Sequence, residues 1–231
     1  SACLALLTVG ALNMKAQSVG VGFHLVDLPQ GNSMVSNPFQ SGSNLVSDLF
    51  TEVPDGFSVS KLVDGVWIAN AWSADSSTWS NPLMSLTPGE GARIDSPEAY
   101  QSFTFGKPLV GSLNNFIPQG ESARGSRLAA GGLISADLGF NPPSGTTVGG
   151  INPDGTVENP AIFVDGLWLP AEPIISVGQA VIINSPEAVD WEQNFAVEGI
   201  ENPLSFAQQP GDLALVEGGA LTLSAEAVGA E

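Results

Sequence analysis

The sequence is poor in the side chains that enzymes use most. It has 1 cysteine, 1 histidine and 6 lysines and arginines among 231 residues. One cysteine excludes a disulfide framework and a cysteine metal site, and zinc would need several converging ligands. A Ser-His-Asp triad would have to use His24, yet no G-x-S-x-G elbow, dinucleotide fingerprint or Walker-type loop is present. We therefore predict a non-enzymatic protein without a cofactor, in which His24 lies on a strand.

Positive charge is scarce. The 24 acidic residues against 6 basic ones give a formal net charge of −18. Nucleic acids and anionic membranes are bound through Lys and Arg, so neither is an expected partner. The acids are scattered singly, which is typical of a solvated surface, with divalent cations as the alternative. The 27 glycines and 17 prolines indicate short strands joined by tight turns.

Long hydrophobic runs are absent as well. The apolar stretch at residues 2–12 is too short to span a bilayer. Ala16 and Ser18 follow it in the A-x-S pattern of a signal-peptidase site. Residues 1–18 are therefore predicted to be a secretory signal peptide that lacks its Met and basic n-region, and the mature chain is expected to be secreted. Two alternatives remain: lipidation at Cys3, because Ser1-Ala2-Cys3 resembles the end of a lipobox, and a buried N-terminal strand or helix.

What the sequence does contain is an internal repeat with a period of 89 residues. Pro29-Gln30-Gly31 returns as Pro118-Gln119-Gly120, and Ser96-Pro97-Glu98-Ala99 returns as Ser185-Pro186-Glu187-Ala188. At this offset 18 of the 71 positions from 29 to 99 are identical, where composition alone would give about 4 or 5. Turn residues and apolar anchors recur, Trp79 with Trp168 among them. The repeat therefore indicates a scaffold.

Turn patterns and short apolar stretches within each copy predict an all-β fold. Pro54-Asp55-Gly56 and Pro143-Ser144-Gly145 are tight turns, and Asp64-Gly65 between apolar stretches predicts a hairpin. No linker-like run separates the copies. We therefore expect two pseudo-symmetric β repeats, residues 19–112 and 113–199, packed as one sandwich- or barrel-like unit.

The pattern changes after residue 199. Leu213 and Leu215, then Leu221 and Leu223, alternate with polar or small residues at period two, as in strands with one apolar face. Through Gln209-Pro210, Glu217-Gly218, Leu223, Ala227 and Gly229, residues 205–231 resemble strands A to B of a bacterial immunoglobulin-like domain. This resemblance implies the first strands of a truncated sandwich, in a chain expected to be cut at both ends.

The repeat itself resembles a region of large modular secreted bacterial surface proteins. The resemblance rests on Val53-Pro54-Asp55-Gly56, Trp79-Ser80-Asn81-Pro82 and Pro88-Gly89-Glu90-Gly91, with residues 168–170 and 177–180 in the second copy. It implies an extracellular or cell-surface location and no enzymatic activity. The expected function is a structural or adhesive module whose partners are glycans or other surface proteins.

Two alternative functions and two candidate sites remain open. Trp67 and Trp72 have no counterpart in the second copy, so they are the ligand candidates of a carbohydrate-binding module, with burial under the hairpin as the competing interpretation. Asp154 and Glu158 offer carboxylates for calcium in a loop that is otherwise a plain turn. The second alternative is a self-assembling filament subunit whose C-terminal strands complete a neighbour's sheet.

Overall fold

The computed structural model describes residues 21–195, together with two short strands at 205–206 and 227–228. Its first half contains the strands β1 (Gly22–Leu28), β2 (Gly31–Ser36), β3 (Ser58–Val63), β4 (Val66–Ser73), β5 (Thr78–Trp79), β6 (Gly91–Ser96) and β7 (Tyr100–Gly106), with one helical turn, α1 (Val46–Leu49). The second half contains β8 (Gly111–Ile117), β9 (Gly120–Gly125), β10 (Gly132–Leu133), β11 (Thr147–Gly149), β12 (Ala161–Val164), β13 (Leu167–Leu169), β14 (Ile174–Ile175), β15 (Ala180–Ser185) and β16 (Val189–Phe195). The described chain is all-β, as predicted, and all of its strand pairs are antiparallel.

The two short strands beyond residue 195 are β17 (Ser205–Phe206) and β18 (Ala227–Val228), which pair with each other. Most of the predicted immunoglobulin-like segment at 205–231 lies outside the described residues. The predicted signal peptide at 1–18 also lies outside them.

The strands of the two halves correspond at the 89-residue offset. Four strands of the first half, β1, β2, β6 and β7, have the same bounds as β8, β9, β15 and β16 after that shift. The registers correspond too: Gly31 pairs with Ser96 as Gly120 pairs with Ser185. The five-stranded sheet of the first half has the order β2-β6-β3-β4-β5, and that of the second has the matching order β9-β15-β11-β12-β13.

The repeated sequence motifs lie where the chain leaves each five-stranded sheet. Strands β2 and β6 pair in the five-stranded sheet. On the other side of Pro29-Gln30-Gly31 and Ser96-Pro97-Glu98-Ala99, the same two stretches of chain pair again as β1 and β7 and form a separate two-stranded ribbon. Between the pairs Leu28–Tyr100 and Gly31–Ser96, one strand has two residues (29–30) and the other has three (97–99). An extra residue on one strand is the mark of a β-bulge, and it bends the two paired strands at this corner. Ser96 Oγ donates to the Glu98 carbonyl at 2.6 Å, and Ser185 Oγ donates to the Glu187 carbonyl at 2.7 Å at the corner of the β8/β16 ribbon.

Each half has a hydrophobic core of its own. Trp79 and Ile94 are buried in the first core, and their counterparts at the 89-residue offset, Trp168 and Ile183, are buried in the second. The prediction that both repeated tryptophans are core anchors is therefore confirmed. A smaller cluster that includes Met34, Ala123, Ala180 and Ile182 lies between the halves, and residues 20–196 form one compact unit.

The contact between the halves is reciprocal. Ser36 N donates to the Gly178 carbonyl at 2.7 Å, and Gly125 N donates to the Gly89 carbonyl at 3.1 Å. Each of these contacts is the other shifted by 89 residues, and the isolated bridges Val35–Gln179 and Glu90–Arg124 correspond in the same way. Such reciprocity is the signature of an isologous, two-fold interface, here formed within one chain. The repeated turns at 88–91 and 177–180 therefore join the halves.

The two hairpin regions differ. Asp64 and Gly65 form the predicted β3/β4 turn with positive φ of 49° and 76°. In the second half β11 ends at Gly149, and a turn at 152–155 precedes β12. Pro153 occupies the position of Asp64. The proline ring fixes φ at about −65°, so Pro153 cannot adopt the positive φ that Asp64 has, and the two-residue turn of the first half cannot form here.

Candidate functional site

The two candidate tryptophans lie on opposite faces of β4. The β3/β4 register is regular through both strands, so residues 67 and 72 point to opposite sides. Trp67 is half-buried against the cluster between the halves, with the Arg93 guanidinium carbon 4.8 Å from its ring centroid. Trp72 packs against the first core, 5.8 Å from the Trp79 centroid. The two indoles therefore do not form one platform for a sugar, and each stays a separate candidate.

The candidate calcium ligands lie in a turn. Asp154 is fully exposed, and its Oδ1 accepts hydrogen bonds from the Thr156 hydroxyl at 2.6 Å and from the Thr156 N–H at 2.9 Å. These bonds lower the pKa of Asp154. The Glu158 N–H donates to the Gly150 carbonyl. In the described part of the chain, no three His, Cys, Asp or Glu residues are grouped so that they could hold a metal.

His24 lies on β1, as predicted, close to the turn at 177–180. A Cβ on Gly178 would come within 2.8 Å of its ring. Burial lowers the pKa of His24, which favours the neutral imidazole at physiological pH. The histidine therefore belongs to the packing between β1 and the second half.

A polar cleft of about 500 Å³ separates the β3/β4 hairpin from the start of β9. Lys61 Nζ pairs with Glu90 at 2.8 Å and donates to the Ser85 carbonyl at 2.9 Å. Burial alone would raise the pKa of Glu90, but hydrogen bonds from Lys61 and Thr87 and the charge of Lys61 lower it overall. Burial also lowers the pKa of Arg124, which lines the same cleft, while the charge of Glu90 opposes this shift.

Residues on the two sides of this cleft correspond, at the 89-residue offset, to residues that are hydrogen-bonded to each other elsewhere between the halves. On the other side of the pseudo-two-fold, Asn32 donates to the Pro153 carbonyl twice, from N at 2.8 Å and from Nδ2 at 3.2 Å. The corresponding residues in the cleft are Glu121 and Asp64. Both are acidic, so they repel each other and offer no side-chain donor for the equivalent contact. The cleft therefore follows from a local divergence of the repeat.

The β1/β7 ribbon has an exposed apolar face. Phe23 pairs with Phe105, and Leu25 pairs with Phe103. Their exposed fractions are 72%, 58%, 52% and 54% in that order. The ring centroids of Phe103 lie 6.2 Å from Phe23 and 6.1 Å from Phe105, so the aromatic side chains form one continuous surface. We call these four side chains the apolar face.

The same positions in the second half are polar. Ser112, Asn114, Glu192 and Asn194 replace the four members of the apolar face on the β8/β16 ribbon. The backbone bounds and the strand register of the two ribbons are the same. The ribbon fold therefore does not require apolar side chains on this side. An exposed apolar patch that the fold does not need is a mark of an interaction surface.

The apolar face adjoins a cavity of about 400 Å³. Its walls include Phe103, Phe105, Leu49 and Val21, together with the charged residues Asp48 and Lys107. Lys107 is tied to Gln40 by two backbone hydrogen bonds of 2.9 Å, which hold the end of β7 against the loop before α1. Cavities of this size with mainly apolar walls are typical of binding sites in proteins.

The two ends of the apolar face carry opposite charges. Lys107 follows Phe103 and Phe105 in the alternation of β7, just beyond the end of the strand. At the other end Asp27 pairs with Gln101, whose Nε2 donates to Asp27 Oδ1 at 2.8 Å. Sequence reasoning did not single out this face, because it lies outside the 71 positions over which identities reveal the repeat. Comparing 21–28 and 100–107 with their counterparts would have shown the change from apolar to polar.

Over residues 21–195 these features define an acidic all-β protein with a duplicated scaffold and a divergent apolar surface. No protein-family model, curated protein or solved structure matches the chain. Within the described residues, no helix is long and apolar enough to cross a membrane.

Proposed function

We propose that the chain is a non-catalytic structural and adhesive module of an extracellular or cell-surface bacterial protein. The observation that carries this proposal is the apolar face of the β1/β7 ribbon. Elsewhere the repeat preserves the corner hydrogen bonds, the turns at 88–91 and 177–180 and the core tryptophans, which serve the scaffold. The ribbon face has diverged while its backbone has not, which is the behaviour expected of a surface that meets a partner.

The side chains around the apolar face support an adhesive role more than a catalytic one. The described residues around it, Phe103, Phe105, Leu49 and Val21, provide apolar contact area, while Lys107 and Asp48 line the same cavity. Apolar contact area with a charged rim is the ordinary composition of a protein–protein interface. Glycans remain the alternative partner, through Trp67 or Trp72 separately.

Adhesion can be tested with beads coated with the full chain. Retention under flow is measured on glass coated with alkyl chains, with a broad set of glycans, or with the same chain. The critical variant carries Phe103→Glu and Phe105→Asn, the residues found at the same positions of the second half, and is called the sister variant. Because the replaced side chains are more than half exposed, this variant should fold normally.

We expect wild-type beads to be retained on at least one apolar or protein surface and the sister variant to lose most of that retention. Phe116→Asp is the matched control, because Phe116 is an exposed phenylalanine at the ribbon position where the first half has Asp27. Retention no better than that of bare beads, or equal retention of wild type and sister variant, would contradict the adhesive role. Turnover of any ester, peptide or glycoside that disappears on changing one acidic side chain would contradict the non-catalytic role.

A further inference from the structure

We propose that the apolar face binds a second copy of the same chain, with the two ribbons stacked face to face around a two-fold axis. This inference rests on the proposed adhesive function and specifies its partner. Four observations support it: the order of the side chains along the ribbon, the charges at its two ends, the apolar area that the side chains expose, and the space for close stacking beside them.

The order of side chains along the face is compatible with a two-fold axis. Four levels follow one another: Lys107 at one end, then Phe23 with Phe105, then Leu25 with Phe103, and finally Asp27 with Gln101. A two-fold axis perpendicular to the strands, in the plane between two stacked ribbons, exchanges the two middle levels and exchanges the two ends. Apolar side chains then meet apolar side chains. The face is therefore self-complementary, as a two-fold homodimer requires.

The charges at the two ends agree with this arrangement. Stacking in opposite directions places Lys107 of each copy at the acidic end of the other, where Asp27 lies beside Gln101. Two such contacts form, one on each side of the axis. Stacking in the same direction would bring the two Lys107 ends together and the two Asp27 ends together. Asp48 lines the same cavity as Lys107, but only Lys107 continues the alternation of the face itself, so charge complementarity favours the antiparallel arrangement.

The exposed area is of the size that a dimer needs. With Val21, the four members of the apolar face expose roughly 500 Å² of apolar surface, taking about 200 Å² for a fully exposed aromatic side chain. A standard interface buries about 800 Å² on each partner, of which about 65% is apolar in homodimers. The apolar face therefore supplies the apolar part of one standard interface, and its charged and polar ends supply the rim.

The sheet geometry also permits close stacking. Two sheets pack about 10 Å apart when the side chains between them interdigitate. The first-half ribbon is two-stranded, and its outward side chains alternate regularly along both strands. The cavity beside Phe103 and Phe105 offers space for an apolar side chain of the partner, as hot-spot pockets do.

The test is the oligomeric state of the full chain, measured by sedimentation velocity over a wide range of concentration. Wild type should convert from monomer to dimer as the concentration rises. The sister variant should weaken dimerisation at least about a hundredfold, because each copy loses two half-exposed aromatic anchors. Phe116→Asp should leave the dimerisation constant unchanged. Circular dichroism and thermal unfolding confirm that all three proteins are folded.

The orientation is tested by exchanging the charges at the ends. Lys107→Asp and Asp27→Lys should each weaken dimerisation several-fold at low salt, and the double variant should restore it, because opposite charges face each other again. Equal weakening in the single and double variants would overturn the antiparallel arrangement.

Three outcomes would overturn the second-copy inference as a whole. A chain that stays monomeric, while its adhesion to other surfaces still depends on the apolar face, would show a different partner and leave the proposed function standing. A dimer that the sister variant does not weaken would place the interface elsewhere. A monomer that dimerises only after residues 1–20 are deleted would show that this segment of the same chain occupies the face.

Discussion

Gly91 offers a sharp test of the joint between the two halves, because a side chain has no room there. A Cβ at this position would lie 2.7 Å from the Ala123 carbonyl carbon, 2.8 Å from Ala180 Cβ and 2.8 Å from Arg124 N. All three atoms belong to the second half. The glycine does not have a positive φ, so alanine would be strained only by these contacts. Ala180 is the counterpart of Gly91, so the two positions face each other across the pseudo-two-fold.

The magnitude of the effect follows from two opposing contributions. Forcing a methyl group into a well-packed site costs about 1–3 kcal/mol. Replacing a strand glycine by alanine returns about 0.5–1 kcal/mol, because the unfolded chain becomes less flexible. Gly91→Ala should therefore lower the free energy of unfolding by about 1–2 kcal/mol. In a unit of this size, that lowers Tm by about 2–8 °C.

Thermal and urea unfolding of four proteins measures this: wild type, Gly91→Ala, Ala180→Gly and the double variant. Ala180→Gly alone should cost about 0.5–1 kcal/mol through the flexibility of glycine. The double variant should be more stable than the sum of the single effects implies, because the Ala180 methyl no longer opposes the new Cβ. An unchanged or higher Tm for Gly91→Ala would refute the close approach of the halves, and so would strict additivity of the two substitutions.

Three further predictions concern the cleft, the corners and the calcium hypothesis. The pKa of Glu90 is lower in the folded protein than the unfolded value of about 4.3, so its carboxylate stabilises the fold above that pH, and this stability is lost as the pH falls through the folded pKa. Lys61→Met should make the free energy of unfolding, measured with urea at a series of pH values, fall less steeply in acid. An unchanged slope would exclude the ion pair as the source of this pH dependence. Ser96→Ala and Ser185→Ala should each cost about 1 kcal/mol, because each removes a corner hydrogen bond. Ser185→Ala should cost slightly more, since Ser185 Oγ also lies 3.4 Å from Thr146 Oγ1; no loss of stability in either variant would contradict the role of the corner bonds. Calcium should leave the Tm of wild type and of Asp154→Ala unchanged, whereas a calcium-dependent rise that is lost in Asp154→Ala would establish a site.

The local features were predictable because short-range physics determines them. Asp64-Gly65 favours a two-residue turn with positive φ, and apolar stretches on both sides of it predict a hairpin whatever packs against it. Trp79 and Trp168 recur at equal spacing in the same turn context, which indicated core anchors. The repeat in sequence predicted corresponding elements. The turn at 152–155, with Pro153 where the first half has Asp64, also follows from local sequence, and the Gly155 N–H donates to the Asn152 carbonyl across it.

The candidate site was not predictable in the same way. Trp67 and Trp72 stood out because they are unrepeated aromatics, but only the register of β4 shows that they lie on opposite faces. The apolar face required the pairing of β1 with β7, which are separated by most of the first half in sequence. In the sequence, Phe23 and Phe105 each lie in a stretch where apolar and polar residues alternate, as in many strands. Only the pairing of β1 with β7 places the two side chains next to each other.

The sequence by itself determined the all-β class, the period of the repeat, the turns and the core anchors. The class and the turns depend on side chains close together in the chain, and the period and the anchors are visible when the two copies are compared. Tertiary structure alone decided the reciprocal joint at the 88–91 and 177–180 turns, the open cleft where Asp64 and Glu121 replace a closed contact, and the exposure of the apolar face. Those features depend on which distant strands meet, and on which side of each strand remains uncovered once both cores are closed.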